Sequence, residues 1–261
     1  PPFRCIVGRS VGVREKLGVM GDKKLKIGIV MDPIESIAPY KDSSLAMLLE
    51  AGRRDAEIHY FEQADLKLVS DRAMGMSTLL TVRDDNDDWF EKGQRQEIAL
   101  GDLDVILMRK DPPVDMDYIY ATQILELAQS LGVYVVNDPG ALRDVNEKLF
   151  IHWFPDCIAP TLVSCDEERI VAFAEQHQDI ILKPLGFMGG ASVFRLKPRD
   201  TNLRVVIETL TGNGTRFTMA QRYLPDIARG DKRILLINGE PVPYALARIP
   251  CAGEHRGNIA A

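Results

Sequence analysis

Apolar positions recur along this chain with a period of two in some stretches and of three to four in others, and the changes of period mark its elements. Residues 25–32 (Leu-Lys-Ile-Gly-Ile-Val-Met-Asp) form an apolar run closed by an acidic turn, which predicts a buried strand. Residues 33–42 read as a loop. Ser43 stands where it can cap a helix that carries Leu45, Leu48 and Leu49 on one face. Residues 56–61 alternate as a second strand, 104–109 form another buried strand and 133–137 the next. Residues 117–129 predict a helix with Ile124, Leu127 and Leu131 in one stripe and Gly132 as its stop. Residues 65–96 are polar and charged without a clear period, and 84–88 read as a solvated loop.

Strands alternating with helices predict a parallel sheet with helices on its faces, and ligands of such sheets lie beyond the carboxyl ends of the strands. Met31-Asp32-Pro33 and Met108-Arg109-Lys110-Asp111-Pro112-Pro113 sit at two such ends, and the proline pair cannot continue a central strand. The pattern changes near Asn146. Residues 147–150 predict a short helix, 166–176 a second and 201–210 a third, among strands at 180–185, 191–196, 217–224, 232–238 and 242–248. The expected organisation is an α/β domain over 25–145 and an α+β domain over 146–261. Residues 1–24 are expected to be a non-native or disordered extension, with Met20 as a more natural start and a genuine N-terminal extension as the alternative.

Bulk properties narrow the function classes. The 261 residues are 46% hydrophobic and 27% charged, as in soluble globular proteins, and the formal net charge of −6 argues against a nucleic-acid surface. No apolar run approaches the ~20 residues of a membrane span. Cys5, Cys157, Cys165 and Cys251 show neither a paired motif nor metal spacing with histidine, which fits a reducing, cytoplasmic setting. His59 and His177 read as structural or solvated residues.

The segment from Ile180 to Phe194 carries most of the chemistry. An apolar run ends in Lys183-Pro184-Leu185, the loop Gly186-Phe187-Met188-Gly189-Gly190 follows, and a second apolar run returns. Glycines let backbone N–H groups approach an anion closely, and a lysine brings a mobile charge to a phosphate oxygen. A β-hairpin with a glycine-rich turn and an outward-reaching lysine explains the same residues. No G-x-x-x-x-G-K-[ST] loop occurs, and no G-x-G-x-x-G opens a helix after the first strand.

Taken with Gly28-Ile29-Val30-Met31-Asp32-Pro33, Lys41-Asp42-Ser43-Ser44, the Met108–Pro113 segment, Asn146-Glu147-Lys148-Leu149-Phe150, Met219-Ala220-Gln221-Arg222-Tyr223-Leu224-Pro225, Gly230-Asp231-Lys232-Arg233 and Gly239-Glu240-Pro241-Val242-Pro243-Tyr244, this loop closely resembles the bacterial glutathione synthetases of the ATP-grasp superfamily. The resemblance runs from about Leu25 to Ala261. It implies an N-terminal parallel-sheet pre-ATP-grasp domain, then an ATP-grasp domain that clamps ATP. It also implies the reaction of ATP, γ-glutamylcysteine and glycine to ADP, phosphate and glutathione, through an acyl phosphate. Mg2+ is the implied metal, with Mn2+ as an alternative. The implied assembly is a homo-oligomer, a tetramer, with neither nucleic acid nor membrane as partner.

Residue by residue, the resemblance puts Lys148, Lys183, Leu185, Gly189 and Gly190 at the ATP phosphates. It puts Gln221, Arg222, Tyr223 and Leu224 along the adenine, and Asp231 near the ribose. Arg233 and Arg248 would stabilise the phosphoryl-transfer and tetrahedral states, while Arg109, Asp32, Lys41 and Ser43 would meet the peptide substrate. Several of these positions also have a purely structural explanation: an exposed lysine at 148, an internal strand at 221–224, ion pairs of Arg233 and Arg248 with neighbours such as Glu240, and a helix cap at 42–44.

Two departures from the family pattern stand out. The family loop follows its leucine with an acidic residue and then glycine, where this chain has Gly186 and Phe187; a ring is costly there if the position needs positive φ. The family's acidic and asparagine metal ligands are expected beyond Ala261, with residues 257–261 inside the family's mobile lid, so this polypeptide is expected to be a fragment with little turnover. Competing readings are another ATP-grasp carboxylate–amine ligase and a non-catalytic nucleotide-binding fragment.

Overall fold

A computed structural model describes residues 24–237 and 239–250. The expectations for residues 1–23 and 257–261, and Cys5, Cys251 and His255, lie outside the described residues. The chain divides into two compact units, one built from residues up to 111 with 116–144, the other from 112–115 and 145 onward.

In the first unit, β1 (Lys26–Val30), β2 (Glu57–Phe61), β6 (Val105–Met108) and β7 (Tyr134–Val136) are parallel neighbours in the order β2-β1-β6-β7. The sheet is nonetheless mixed, not purely parallel. β4 (Arg72–Val82) runs antiparallel to β2, and β3 (Leu66–Val69) and β5 (Phe90–Ala99) both pair antiparallel with β4. These three strands occupy the stretch that showed no sequence period. The cause is visible in β5, whose residues are mostly exposed, so no apolar alternation is needed. β4 alternates buried and half-buried positions and packs on its neighbours.

Helices cover both faces. Helix α1 (Ser43–Arg53) buries Leu48 and Ala51 against Ile29, Met31, Ile58 and Tyr60, while α2 (Met116–Ser130) buries Ala121, Leu125 and Ala128 against Val30, Phe61, Ile106 and Val135. Adjacent residues of β1 thus feed opposite cores, the period-two signature of a strand buried on both sides. Asp42, not Ser43, is the N-cap of α1: its Oδ1 accepts from Leu45 N at 2.7 Å. The apolar stripe of α2 is also rotated from the one expected. Ile124 and Leu127 only flank the core, and Leu131 is 61% exposed. The small side chains of Ala121 and Ala128 let the helix sit close to the sheet, which a ranking by bulk does not reveal. Gly132 ends the helix region with φ +100°, as expected of a stop. A short α3 (Pro139–Asp144) follows β7. His59 is buried, with Nδ1 2.7 Å from Ser77 Oγ and Nε2 2.8 Å from Glu57 Oε1.

The second unit holds an antiparallel four-stranded sheet, β10-β9-β11-β8. Its strands are β8 (Thr161–Ser164), which sequence reading missed, β9 (Ile180–Pro184), β10 (Phe194–Leu196) and β11 (Thr218–Arg222). Helices α4 (Glu167–His177) and α5 (Leu203–Thr211) pack on one face, where Ile170, Ala174 and Ile207 meet Ile180, Leu182 and Ala220. The expected helix at 147–150 is a turn instead. Asn146 Oδ1 accepts from Lys148 N and Leu149 N, both at 3.0 Å, and a 3-10 segment (Phe150–Trp153) follows. β10 begins at Phe194 rather than 191, because the glycine-rich loop extends to Val193. A hairpin of β12 (Asp231–Ile237) and β13 (Glu240–Arg248) completes the described chain, with a bulge between Ile234 and Leu236.

Gly75 of β4 tests the packing of the first unit. A Cβ there would lie 2.7 Å from Cε1 of Phe61, which is fully buried and has nowhere to move. Gly75→Ala is expected to lower the stability of the fold by about 1–3 kcal/mol in urea denaturation; an unchanged midpoint would contradict this packing.

Candidate functional site

The antiparallel register places three polar side chains on one face of the second sheet, away from α4 and α5. Lys183 pairs with Met219, Gln221 with Ile181 on one side, and Gln221 with Thr161 on the other. Lys183 and Gln221 are therefore diagonal neighbours, and Gln221 and Thr161 direct ones. Lys183 Nζ donates to Gln221 Oε1 at 3.1 Å. Burial holds the Lys183 ammonium below the usual lysine range, and the charge of Lys148 lowers it further while Glu147 opposes the shift.

Lys148 closes the site from the turn after Asn146. Its side chain is 15% exposed, and Nζ donates to Glu147 Oε1 at 2.6 Å, Leu185 O at 3.0 Å and Phe187 O at 2.8 Å. These are three acceptors for the three donors of an ammonium. The loop it ties down turns at Gly189 (φ +66°), Gly190 (φ +75°) and Ser192 (φ +56°), with Ala191 N donating to Met188 O at 3.2 Å. Gly186 and Phe187 have no positive φ, and a Cβ on Gly186 would meet open space. The Phe187 ring is 54% exposed. The departure at 186–187 therefore carries no backbone strain here.

At the end of β11, Arg222 N donates to Pro160 O and Tyr223 N to Asp179 O, each at 2.9 Å. Arg195 stacks on the Tyr223 ring at 3.8 Å and grips Asp179 through Nε at 2.9 Å and a terminal nitrogen at 2.7 Å. Leu224 is half exposed, and its N–H has no acceptor among the described residues. On the hairpin, Arg248 grips Asp231 with two bonds of 2.7 and 2.5 Å. Gly230, at φ +91°, permits this approach: a Cβ there would stand 2.7 Å from Arg248 O. Arg233 is exposed without an ion-pair partner among the described residues, and neither arginine pairs with Glu240.

The first unit gathers a second cluster at the carboxyl ends of β1 and β6. Asp32 accepts from Lys110 Nζ at 2.8 Å and from Asp111 N at 2.9 Å. Arg109 Nε donates to Ser44 Oγ at 3.0 Å, and Ser44 is only 5% exposed. Lys41 and Ser43 lie exposed at the start of α1, Lys41 over the Tyr40 ring at 5.3 Å. Partial burial and the facing Asp32 carboxylate push the Asp111 carboxyl above its usual range, against the pull of Arg109 and Lys110. The structure thus brings Asp32 and Arg109 to one strand-end cluster, with Ser44, rather than Ser43, as the hydroxyl on Arg109. Sequence reading missed Ser44, Asp111, Thr161 and Arg195; the first two lay inside quoted motifs, whereas strand pairing alone reveals the others. Among the described residues no group of three or more His, Cys, Asp or Glu side chains could hold a metal ion.

Two expectations follow from this geometry. Gly189→Ala forces a Cβ into a left-handed turn and is expected to cost about 1–2 kcal/mol, while Gly186→Ala stays within about 0.5 kcal/mol; thermal unfolding of both variants checks the contrast. Because the folded-state pKa of Asp111 is raised, its charged form weakens the fold at neutral pH, and that penalty disappears as pH falls through the folded value toward 3.8. Asp111→Asn is expected to be modestly more stable than the parent at pH 7, water screening keeping the gain small, with the gap closing near pH 4 in urea titrations.

Comparison with known proteins completes the picture. The domain described as "Prokaryotic glutathione synthetase, N-terminal domain" matches residues 25–143, and "Prokaryotic glutathione synthetase, ATP-grasp domain" matches 147–261. Glutathione synthetase of Escherichia coli O127:H6 is 57% identical over 237 residues, covering 91% of this chain and 75% of the relative. That of Vibrio cholerae serotype O1 is also 57% identical over 91% of this chain and 74% of its own length. Among solved structures, D-cycloserine synthetase DcsG aligns with a TM-score of 0.55 at 12% identity, over 86% of this chain and 72% of its own. D-alanyl-alanine synthetase A from Vibrio cholerae aligns with a TM-score of 0.52 at 12% identity, over 85% and 66%. At such identity these two structures speak to the fold alone. The sequence matches decide the family: the chain belongs to the prokaryotic glutathione synthetases, ATP-grasp carboxylate–amine ligases.

Proposed function

We propose that this chain binds ATP through Lys148, Lys183 and the Leu185–Gly190 loop, and serves the ATP-dependent joining of γ-glutamylcysteine to glycine in the cytoplasm. The observation that carries the reading is the meeting of two largely buried lysines at a loop whose glycines hold positive φ. Such a loop can present backbone N–H groups to an anion, and the lysines answer phosphate charge. The N–H of Leu224, which has no acceptor among the described residues, suits an adenine edge, with Gln221, Arg222 and Tyr223 leading into it from β11, and Asp231 stands for the ribose.

The peptide carboxylate attacks the γ-phosphorus and ADP leaves, giving an acyl phosphate; the amine of glycine then attacks the acyl carbon, phosphate leaves and the amine proton is lost. The protein's task is positioning and charge stabilisation. Arg233 and Arg248 would face the developing negative charge, and Arg109, Asp32, Lys41 and Ser43 would receive the peptide. Mg2+, or Mn2+ in its place, neutralises phosphate charge when bound. The described residues offer no ligand cluster for it, so no step is assigned to it.

Displacement of a fluorescent ATP analogue, followed by ADP release by the full-length protein with Mg2+, γ-glutamylcysteine and glycine, tests the reading. ATP binding that weakens at least tenfold in Lys148→Ala and Lys183→Ala is expected, together with release that needs both precursors. Release driven by D-alanine would assign the chain to another ligase, and binding without release would make it a non-catalytic nucleotide binder.

A further inference from the structure

The sheet face that carries Lys183 also carries a hydrogen-bond chain running away from it across three neighbouring strands. Lys183 Nζ donates to Gln221 Oε1 at 3.1 Å, Gln221 Nε2 donates to Thr161 Oγ1 at 2.9 Å, and Thr161 Oγ1 donates to Ala159 O at 2.7 Å. An ammonium has only protons to give, so it must meet the oxygen of the carboxamide rather than its NH2. The two ends of a carboxamide have nearly the same shape, and packing alone selects poorly between them. Thr161 reinforces the orientation that the ammonium favours. Its one hydroxyl proton is committed to Ala159 O, which leaves only lone pairs toward Gln221, and only the NH2 end can engage them. The β-branched side chain of threonine is stiff at χ1, so the hydroxyl is held in place before Gln221 meets it.

We propose that Thr161 is a positioning residue for Lys183, acting through Gln221: it reinforces the amide orientation that turns an oxygen toward the ammonium and so aims the lysine across the sheet face. The register supports this, because Thr161 and Gln221 are directly paired and Gln221 and Lys183 are diagonal neighbours. Burial makes the arrangement consequential, since water has limited access to replace a lost acceptor at Lys183. The consequence for ATP, though not the positioning itself, rests on the phosphate-binding role given to Lys183 above.

Competitive acetylation across a pH series, resolved by mass spectrometry, reads the titration of Lys183 in the folded chain without turnover. Thr161→Val keeps the shape and removes the hydroxyl; an amide that has lost this anchor holds its oxygen less firmly on the ammonium. The midpoint of Lys183 labelling is expected to move to lower pH in Thr161→Val, to return in Thr161→Ser, and to move no further in Thr161→Val combined with Gln221→Met than in Gln221→Met alone. Lys67, in the other unit, serves as the unaffected control. In turnover by the full-length protein, KM for ATP is expected to rise about three- to tenfold in Thr161→Val, with a smaller change in kcat and recovery in Thr161→Ser. Lys183 labelling in Thr161→Val that superimposes on the parent overturns the proposal. A shifted labelling curve with unchanged KM for ATP upholds the positioning and instead overturns the phosphate role of Lys183.

Discussion

Two ammonium groups, Lys148 and Lys183, share a largely buried corner of the second unit, where burial and then the neighbouring Lys148 charge hold the Lys183 ammonium below the usual lysine range. Such a pair persists only where oxygens surround it. The protein supplies them from several sources: two main-chain carbonyls of the loop and the Glu147 carboxylate for Lys148, and the Gln221 side chain for Lys183. Much of the local architecture answers this need. The Asn146 turn aims Lys148 at the loop, and the left-handed turns at Gly189 and Gly190 bring the chain back to β10. Phosphate oxygens would satisfy the same demand, which is why a cationic corner of this kind suits a nucleotide.

The first unit solves a comparable problem with pairing rather than accumulation. Asp32 is held between Lys110 and the Asp111 backbone, and Arg109 is turned toward Ser44 at the start of α1. The charges at the ends of β1 and β6 are largely balanced, and the Asp111 carboxyl is raised first by its burial and then by the facing Asp32. Parallel strands place these ends side by side, so the cluster follows directly from the strand order.

What could be read from the chain depended on burial. β1, β6 and β9 are buried on one or both faces, and their apolar runs announce them. β5 is exposed and left no period, so the mixed character of the first sheet stayed hidden. The stripe of α2 was misplaced because alanines, not the bulkier Ile124 and Leu127, make its closest approach. Lys148, Lys183 and the glycine loop were legible because several ordered motifs converge on them. Thr161 was not, because its importance comes from lying opposite Gln221, 60 residues away along the chain. The sequence presents Asp231 and Arg248 as separate contributors, yet a cross-strand pairing joins them into one ion pair.

The saturation of Lys148 has a consequence for anything that comes to it. Because its three protons already rest on Glu147, Leu185 and Phe187, an arriving anion exchanges contacts rather than adding them. The contribution of Lys148 to affinity is then the margin by which the anion's oxygens hold the ammonium better than its present partners do. The carbonyls set free at Leu185 and Phe187 lose their anchor at the same moment. Ligand exchange at one side chain is thereby coupled to the release of a whole loop, and a local substitution of partners becomes a change in how tightly the glycine-rich segment is held.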